Sequence, residues 1–255
     1  MTGMPHESAP VAFITGSATG VGRACAQRFA AAGFRVVINH PPGRDAEQAA
    51  ETRALLESHG AVAVVVPCDV SSRAQLHDAA RAIQGAFGRL NVLVNCAGLT
   101  HFVEHADLEA MTEDKWDAIL AVNTKGPFFV IQAMLPLLRV PPTAAIVNIS
   151  SVAGLSGAGS SIAYCASKGA LNTMTKSLAR ALAPGIRVNA VCPGPINSRW
   201  LRTGLTEEQI ADRIAPFPIP KLAEPSDIAD TVFYLAVETG LTTGQLLTVD
   251  GGRTM

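Results

Sequence analysis

The chain has 255 residues, of which 48% are hydrophobic and 16% charged, with a formal net charge of −1. That length and apolar share suffice to bury one large core, which excludes a disordered chain or a disulfide-stapled miniprotein. A near-neutral balance leaves no basic face for a nucleic acid, and no apolar run reaches the ~18 residues needed to span a bilayer.

Residues 1–10 lack the charged start and apolar centre of a signal peptide and read as a flexible leader before one domain, 11–255, so a cytoplasmic location is expected. Residues 11–14 form a short apolar strand that runs into Thr15-Gly16-Ser17-Ala18-Thr19-Gly20-Val21-Gly22, and a helical pattern follows over 23–32. Glycines in such a turn let the backbone approach a ligand closely, and the amides at the helix start favour a pyrophosphate. The spacing is Gly-x-x-x-Gly-x-Gly, not the commoner Gly-x-Gly-x-x-Gly. A glycine cluster alone is an ordinary loop; the flanking strand and helix are what favour a dinucleotide site.

A second strand over 34–39 leads to the polar turn His40-Pro41-Pro42-Gly43-Arg44 and a helix over 45–59. A third strand, 61–66, leads to Cys68-Asp69-Val70 and a helix over 72–87; the strand 91–94 then enters Asn95-Cys96-Ala97-Gly98. These runs are apolar on both faces, the pattern of parallel strands covered by helices on both sides. The expected fold is therefore α/β, a Rossmann-like doubly wound parallel sheet of about seven strands. A ligand then binds beyond the carboxyl ends of the strands, where Gly16, Asp69, Asn95, Ser151 and Pro193 converge.

A helix over 113–138 is interrupted at Asn123-Thr124-Lys125-Gly126-Pro127, a combination that predicts a kink or local break. The strand 145–149 ends at Ser150-Ser151, a helix over 163–183 stops at Pro184-Gly185, and the strand 186–191 runs into Cys192-Pro193-Gly194-Pro195-Ile196-Asn197-Ser198. The segment from about 195 to 222, rich in proline and mixed charge, reads as a mobile cover over the cleft. Residues 227–236 are helical and 245–252 form a last strand. His101, Leu155, Gly157 and Trp200 are expected to line the outer cleft. The five cysteines, Cys25, Cys68, Cys96, Cys165 and Cys192, never form a Cys-x-x-Cys pair, and the histidines show no ligand-like pairing; neither a disulfide framework nor a metal is expected.

Tyr164 and Lys168, four apart, stand on one helix face. An ammonium beside a phenol lowers its pKa toward the range where it can act as an acid or base. Ser151 ends a buried strand and can face the cleft. Tyr-x-x-x-Lys alone is common on solvated helices; the serine-rich strand end before it and the glycine turn near the N-terminus make it a candidate site.

Taken together, Thr15-Gly-x-x-x-Gly-x-Gly22, Asp69-Val70, Asn95-x-Ala-Gly98, Asn123, Ser151, Tyr164-x-x-x-Lys168, Pro193-Gly194 and Val249-Asp250-Gly251-Gly252 resemble the short-chain dehydrogenase/reductase superfamily, over nearly the whole chain. Within its compact branch the chain is most similar to 3-oxoacyl-carrier-protein reductases. The resemblance implies an NAD(P)-dependent oxidoreductase acting on an alcohol or ketone. In that reading Tyr164 is the general acid/base, Lys168 lowers its pKa and binds the nicotinamide ribose, Ser151 polarises the carbonyl, and Asn123 holds a water in a proton relay. It implies cofactor contacts from Gly16, Ser17, Thr19, Gly20, Val21, Gly22, His40, Arg44, Asp69, Val70, Asn95, Ala97, Gly98, Tyr164, Lys168, Pro193, Gly194, Ile196 and Ser198. Of these, Asp69 faces the adenine amino group, Asn95 the adenosine ribose, and Ile196 with Ser198 the carboxamide. Cys96 replaces the family's usual second asparagine, and Ser198 stands where threonine is common. Similar enzymes are commonly homotetramers built through the helices near 115–138 and 163–183. A catalytically silent NAD(P)-binding redox sensor, acting through a protein partner, is the alternative on the same scaffold.

Cofactor choice turns on the end of the second strand, where an acid would bind the ribose 2′-hydroxyl of NAD and repel the 2′-phosphate of NADP. That position is His40, no Asp or Glu follows before Asp45, and Arg44 can swing toward a phosphate. The balance favours NADP over NAD.

Overall fold

The computed structural model describes residues 9–198, 201–202 and 206–255. Strands β1 (Val11–Ile14), β2 (Arg35–His40), β3 (Ala63–Pro67), β4 (Val92–Asn95), β5 (Ala144–Ile149), β6 (Ile186–Pro193) and β7 (Leu246–Val249) form one parallel sheet in the order β3-β2-β1-β4-β5-β6-β7. Successive side chains leave a strand on opposite faces, and both faces here are buried. Ala12 and Ile14 of β1, with Val36 and Ile38 of β2, pack on Phe29 of α1 (Gly20–Ala31) and Val232 of α9 (Pro225–Phe233). Val11, Phe13 and Val37 pack instead on Leu76 and Ile83 of α3 (Arg73–Phe87) and Met134 of α5 (Gly126–Leu138). The expected doubly wound sheet is the fold observed.

Strand order reverses between β1 and β4, so the connections leave a crevice beyond their carboxyl ends. Helix α1, which starts at the glycine turn, is held by an aromatic cluster: the Phe29 ring lies 5.1 Å from Phe34 and 5.3 Å from Phe233, centroid to centroid. Each such pair contributes about 1 kcal/mol beyond its buried area, so the turn sits on a rigid base.

Several elements differ from expectation. Residues 1–8 of the leader lie outside the described residues, but Ala9 is tied down, its carbonyl accepting from Arg35 at 3.1 Å and Arg89 at 2.8 Å. The interruption at Asn123 is a π-turn, Ala121–Lys125, between α4 (Glu113–Leu120) and α5. Within the composite helix Glu113–Leu138 one 18-residue window reaches a mean hydropathy of 1.4, enough by length and composition to cross a bilayer, although Asn123, Lys125 and Gln132 break any continuous apolar run there. Its apolar residues Val130, Ile131, Met134, Leu137 and Leu138 are spent on the sheet. The last strand stops at Val249 because Asp250 turns the chain, its carboxylate accepting from the amides of Gly252 and Thr254. Within the expected cover lies α8 (Glu207–Ile214), started by a Thr206–Gln209 capping box and anchored by buried Ile210. The cover's far end is pinned where the Ile219 amide donates to the Gly251 carbonyl at 2.9 Å. Arg199 and Trp200 lie outside the described residues.

Candidate active site

Strand β5 delivers Ser150 and Ser151 to the crevice, and the short helix α6 (Ala153–Ser156) turns the chain toward α7 (Ile162–Leu182). Ser161 caps α7, its hydroxyl accepting the Tyr164 amide at 3.2 Å, which fixes where the first turn presents Tyr164. Ser151, whose hydroxyl accepts the Ala153 amide at 3.1 Å, stands beside the Tyr164 side chain and favours its ionised form. Lys168, one turn on, is buried; its Nζ donates to the Ile149 carbonyl at 2.8 Å and lies 5.7 Å from the centroid of the Tyr164 ring.

The electrostatics depart from expectation. Burial pushes Tyr164 up to about 12, with the neighbouring Ser151 hydroxyl opposing the rise. Burial also brings Lys168 down from 10.5 to about 8, with the Cys96 and Cys192 thiols opposing it. The ammonium was expected to lower the phenol; instead desolvation wins, because the lysine's own charge is disfavoured where it sits and its Nζ is turned to Ile149. A neutral phenol is a proton donor, and this one has Ser151 beside it. Cys96 is pushed up to about 12 and Cys165 is also raised, both chiefly by burial, so neither thiol beside the site is an activated nucleophile.

Asn123 is fully buried: Nδ2 donates to the Leu99 carbonyl at 2.8 Å and to the Ser167 hydroxyl at 3.1 Å, while Oδ1 accepts the Leu99 amide at 2.8 Å. It staples the Gly98-Leu99 segment to α7.

On the other side of the crevice, the glycine turn is closed by Thr15, which opens the motif but was given no role, and by Asn39, which sequence reasoning passed over. Thr15 Oγ1 accepts the amides of Cys96 and Ala97, both at 3.0 Å. Asn39 Oδ1 accepts the Gly16 amide at 3.0 Å, and its Nδ2 donates to the carbonyls of Val66 and Cys68. The available signal was a lone asparagine in an otherwise apolar strand. Gly16, at φ +64, leaves no room for a side chain: a Cβ would lie 2.9 Å from Ala97 Cα, and one on Gly22 would lie 2.3 Å from the Gly16 carbonyl oxygen. Gly20 faces open space. A backbone-lined cradle at a helix start, whose first amides have no intrahelical partners, fits a pyrophosphate.

A family model described as enoyl-(acyl carrier protein) reductase matches residues 16–254. A protein assigned as ketoacyl reductase 2 of the granaticin polyketide synthase of Streptomyces violaceoruber is 42% identical over 248 residues, 96% of either chain. Among solved structures, one assigned to a short-chain dehydrogenase/reductase of Burkholderia xenovorans superposes with a TM-score of 0.90 at 36% identity, covering 96% of this chain and 98% of that one. The chain belongs to the short-chain dehydrogenase/reductase superfamily. A metagenomic blue fluorescent protein in complex with NADPH, 31% identical, gives a TM-score of 0.88 over 98% of this chain and 100% of its own.

In this short-chain dehydrogenase/reductase, the expected cofactor residues fall into two groups. Gly20, Val21 and Gly22 open α1, Asp69 follows β3, Ala97 and Gly98 follow β4, and Pro193, Gly194, Ile196 and Ser198 lie at or beyond the end of β6. The second group faces inward. Ser17 is buried, donating to the Ile14 carbonyl at 2.8 Å and accepting the Asn39 amide at 2.9 Å. The Asn95 side chain points into the sheet, donating to Asn148 Oδ1 at 2.9 Å, and its Oδ1 is buried without a hydrogen-bond partner among the described residues. Val70 is buried, 3.1 Å from where a Cβ on Gly126 would stand. One Asp69 oxygen is taken by the Ser71 amide and hydroxyl, at 2.8 and 2.7 Å.

Beyond the catalytic residues, Leu155 is exposed and Gly157 is the left-handed residue ending α6. His101 sits beside Thr100, whose hydroxyl pairs with Ser160.

Proposed function

We propose that this enzyme transfers a hydride between a nicotinamide cofactor, NADPH in preference to NADH, and the keto group of a 3-oxoacyl-type substrate, working as a reductase. The observation that carries the reading is the juxtaposition of Ser151, just past the end of β5, with Tyr164, and of the buried Lys168 one turn on, anchored on the Ile149 carbonyl. A nicotinamide cofactor, when bound, would supply the hydride for the carbonyl carbon. Ser151 donates to the carbonyl oxygen. Tyr164, kept neutral by burial, passes its phenolic proton to that oxygen as charge develops there. Lys168, anchored on Ile149, stands where a ribose hydroxyl can reach it, and the Asn123 staple keeps the Gly98-Leu99 wall in place.

Two features support NADPH. No carboxylate ends β2, and the Arg44 side chain is largely exposed, its Nε 3.6 Å from the Asp45 carboxylate. The ketoacyl reductase name of the granaticin relative supports the substrate class. Five free cysteines fit a reducing, cytoplasmic setting. We further infer a homotetramer through α4–α5 and α7, supported by the half-exposed Phe128 on α5.

The test is a panel of 3-oxoacyl thioesters, cyclic ketones and sugars with NADH and NADPH, read by the absorbance of the reduced nicotinamide. Cofactor oxidation with a 3-oxoacyl thioester is expected. Tight cofactor binding without turnover on any member would leave a redox sensor in its place.

A further inference from the structure

His40, the last residue of β2, lies about twenty residues past the glycine turn, the position whose side chain meets the adenosine ribose in dinucleotide folds. It is buried, and the loop after it is folded around its ring: Nδ1 lies 3.0 Å from both the Pro41 and the Arg44 carbonyl oxygens. A carbonyl only accepts, so Nδ1 carries a proton. A flipped ring would place Cδ2 at that distance from two oxygens, inside the ~3.3 Å at which carbon donors approach carbonyls. With Nδ1 committed, the neutral ring presents Nε2 as a bare lone pair, and no described residue hydrogen-bonds that atom. The Asn39 amide and carbonyl bond Ser17 of the glycine turn, and the His40 carbonyl accepts the Cys68 amide at 2.9 Å. His40 is thereby fixed between the two loops that flank the adenosine half of the crevice.

We propose that the locked Nδ1 proton makes His40 a pH-dependent selector of the cofactor: neutral, its Nε2 accepts from the ribose 2′-hydroxyl of NADH; protonated, it donates to the 2′-phosphate of NADPH. The proposal rests on the cofactor reading above. Gaining one proton reverses Nε2 from acceptor to donor, so a single ring favours opposite ligands in its two protonation states. The titratable and charged groups around it are Arg44 and Asp45 in its own loop, Glu47 on α2 (Ala46–Ser58), Cys68 and Asp69 after β3, and Arg23 on α1, which donates to the Ala18 carbonyl and to Glu51. Arg44 and Arg23 keep their charge throughout, so they contribute a constant preference. The 2′-phosphate takes a second proton near pH ~6, which weakens NADPH binding in acid and therefore opposes the proposed trend.

The experiment measures dissociation constants of NADH and NADPH by reduced-nicotinamide fluorescence at pH 6.0 and 8.5 for wild type and His40→Gln, alongside long-range 15N–1H NMR of the histidine rings. Expected for wild type is a preference for NADPH over NADH that is at least ~10-fold stronger at pH 6.0, the scale of one charge-assisted hydrogen bond, with a His40 spectrum showing the Nδ1–H form at pH 8.5. In His40→Gln, whose amide donates at both pH values, the preference should change by less than ~2-fold or follow only the phosphate. An Nε2–H tautomer, or a wild-type preference that moves with pH no more than the Gln variant's, overturns the proposal. Failure to bind either cofactor would instead overturn the reading on which it rests.

Discussion

Lys168 donates from its buried Nζ to the backbone carbonyl of Ile149, two residues before Ser151, so the charged group of α7 is tied to the strand that carries the other half of the site. This anchor holds a lysine where its charge is costly, at about 8 instead of 10.5. Below pH 8 both folded and unfolded chains hold the proton, and the full burial cost is present. Between 8 and 10.5 the folded chain releases it first, so stability rises with pH through that window. Lys168→Met should therefore gain stability over wild type at pH 6 and lose that advantage by pH 10, a difference of about 3 kcal/mol. Urea unfolding at the two pH values checks it; an advantage equal at both would contradict the lowered lysine.

The raised phenol gives the two directions of reaction different pH profiles. With Tyr164 near 12, the proton donor for reduction is fully present at neutral pH, while the base for oxidation is a small fraction that grows tenfold per pH unit. Ketone reduction should be level from pH 6 to 8, and alcohol oxidation should climb about tenfold per unit over that range. Tyr164→Phe should lower both by at least ~10²-fold with cofactor affinity retained. Parallel profiles in the two directions, or a Phe variant close to wild type, would remove Tyr164 from the proton transfer.

How much of this was readable in the sequence depended on whether a residue works through local spacing or through packing. The strand-turn-helix of Val11 to Ala31 and the i, i+4 pairing of Tyr164 with Lys168 follow from short-range rules, and both stand in the structure. The break near Asn123 was readable from Gly126 and Pro127, but not that it would be a π-turn with its asparagine bound on both sides by Leu99 and Ser167. Ser17 and Asn95 were read as cofactor contacts because their motif is; their side chains go inward, toward Ile14 and Asn148, partners 3 and 53 residues away. The sign of the tyrosine shift was out of reach for the same reason, since desolvation is a property of the folded surroundings and not of the four-residue spacing.

Those inward polar residues form a buried chain: Asn95 donates to Asn148, Asn148 Nδ2 donates to Thr175 Oγ1 at 2.9 Å, and Thr175 donates to the Leu171 carbonyl at 2.8 Å. It fixes β4 and β5 against α7. Thr175→Val keeps the shape but strands the Asn148 amide, so a loss of about 1–3 kcal/mol is expected. Activity at low temperature should be kept, because no member is placed on the substrate. Unchanged denaturation midpoints would mean that water replaces the threonine.

On the catalytic side of the crevice, Gly154 of α6 packs directly on the α7 backbone. A Cβ on Gly154 would lie 2.5 Å from the Lys168 carbonyl carbon and 2.7 Å from the Gly169 nitrogen, both backbone atoms that can yield only if the helices part. Asn172 reinforces the contact, donating to the Gly154 carbonyl at 3.2 Å and accepting from the Ser150 hydroxyl at 2.6 Å. Parting α6 from α7 moves Ser151 away from Tyr164. Gly154→Ala should therefore lower kcat by at least ~10-fold, the usual consequence of misplacing a reacting group by a fraction of an ångström, while cofactor affinity, set across the crevice, stays near wild type. Gly169 supplies the control: its Cβ would meet the Gly154 carbonyl oxygen at 3.6 Å, an ordinary contact. Since alanine is favoured over glycine inside a helix by up to ~1 kcal/mol, Gly169→Ala should be neutral or slightly stabilising and fully active. Steady-state kinetics and thermal midpoints of the two variants, measured side by side, decide the matter. A Gly154→Ala enzyme with wild-type kcat, or a Gly169→Ala enzyme equally damaged, would show that the α6–α7 contact does not set the geometry of Ser151 and Tyr164.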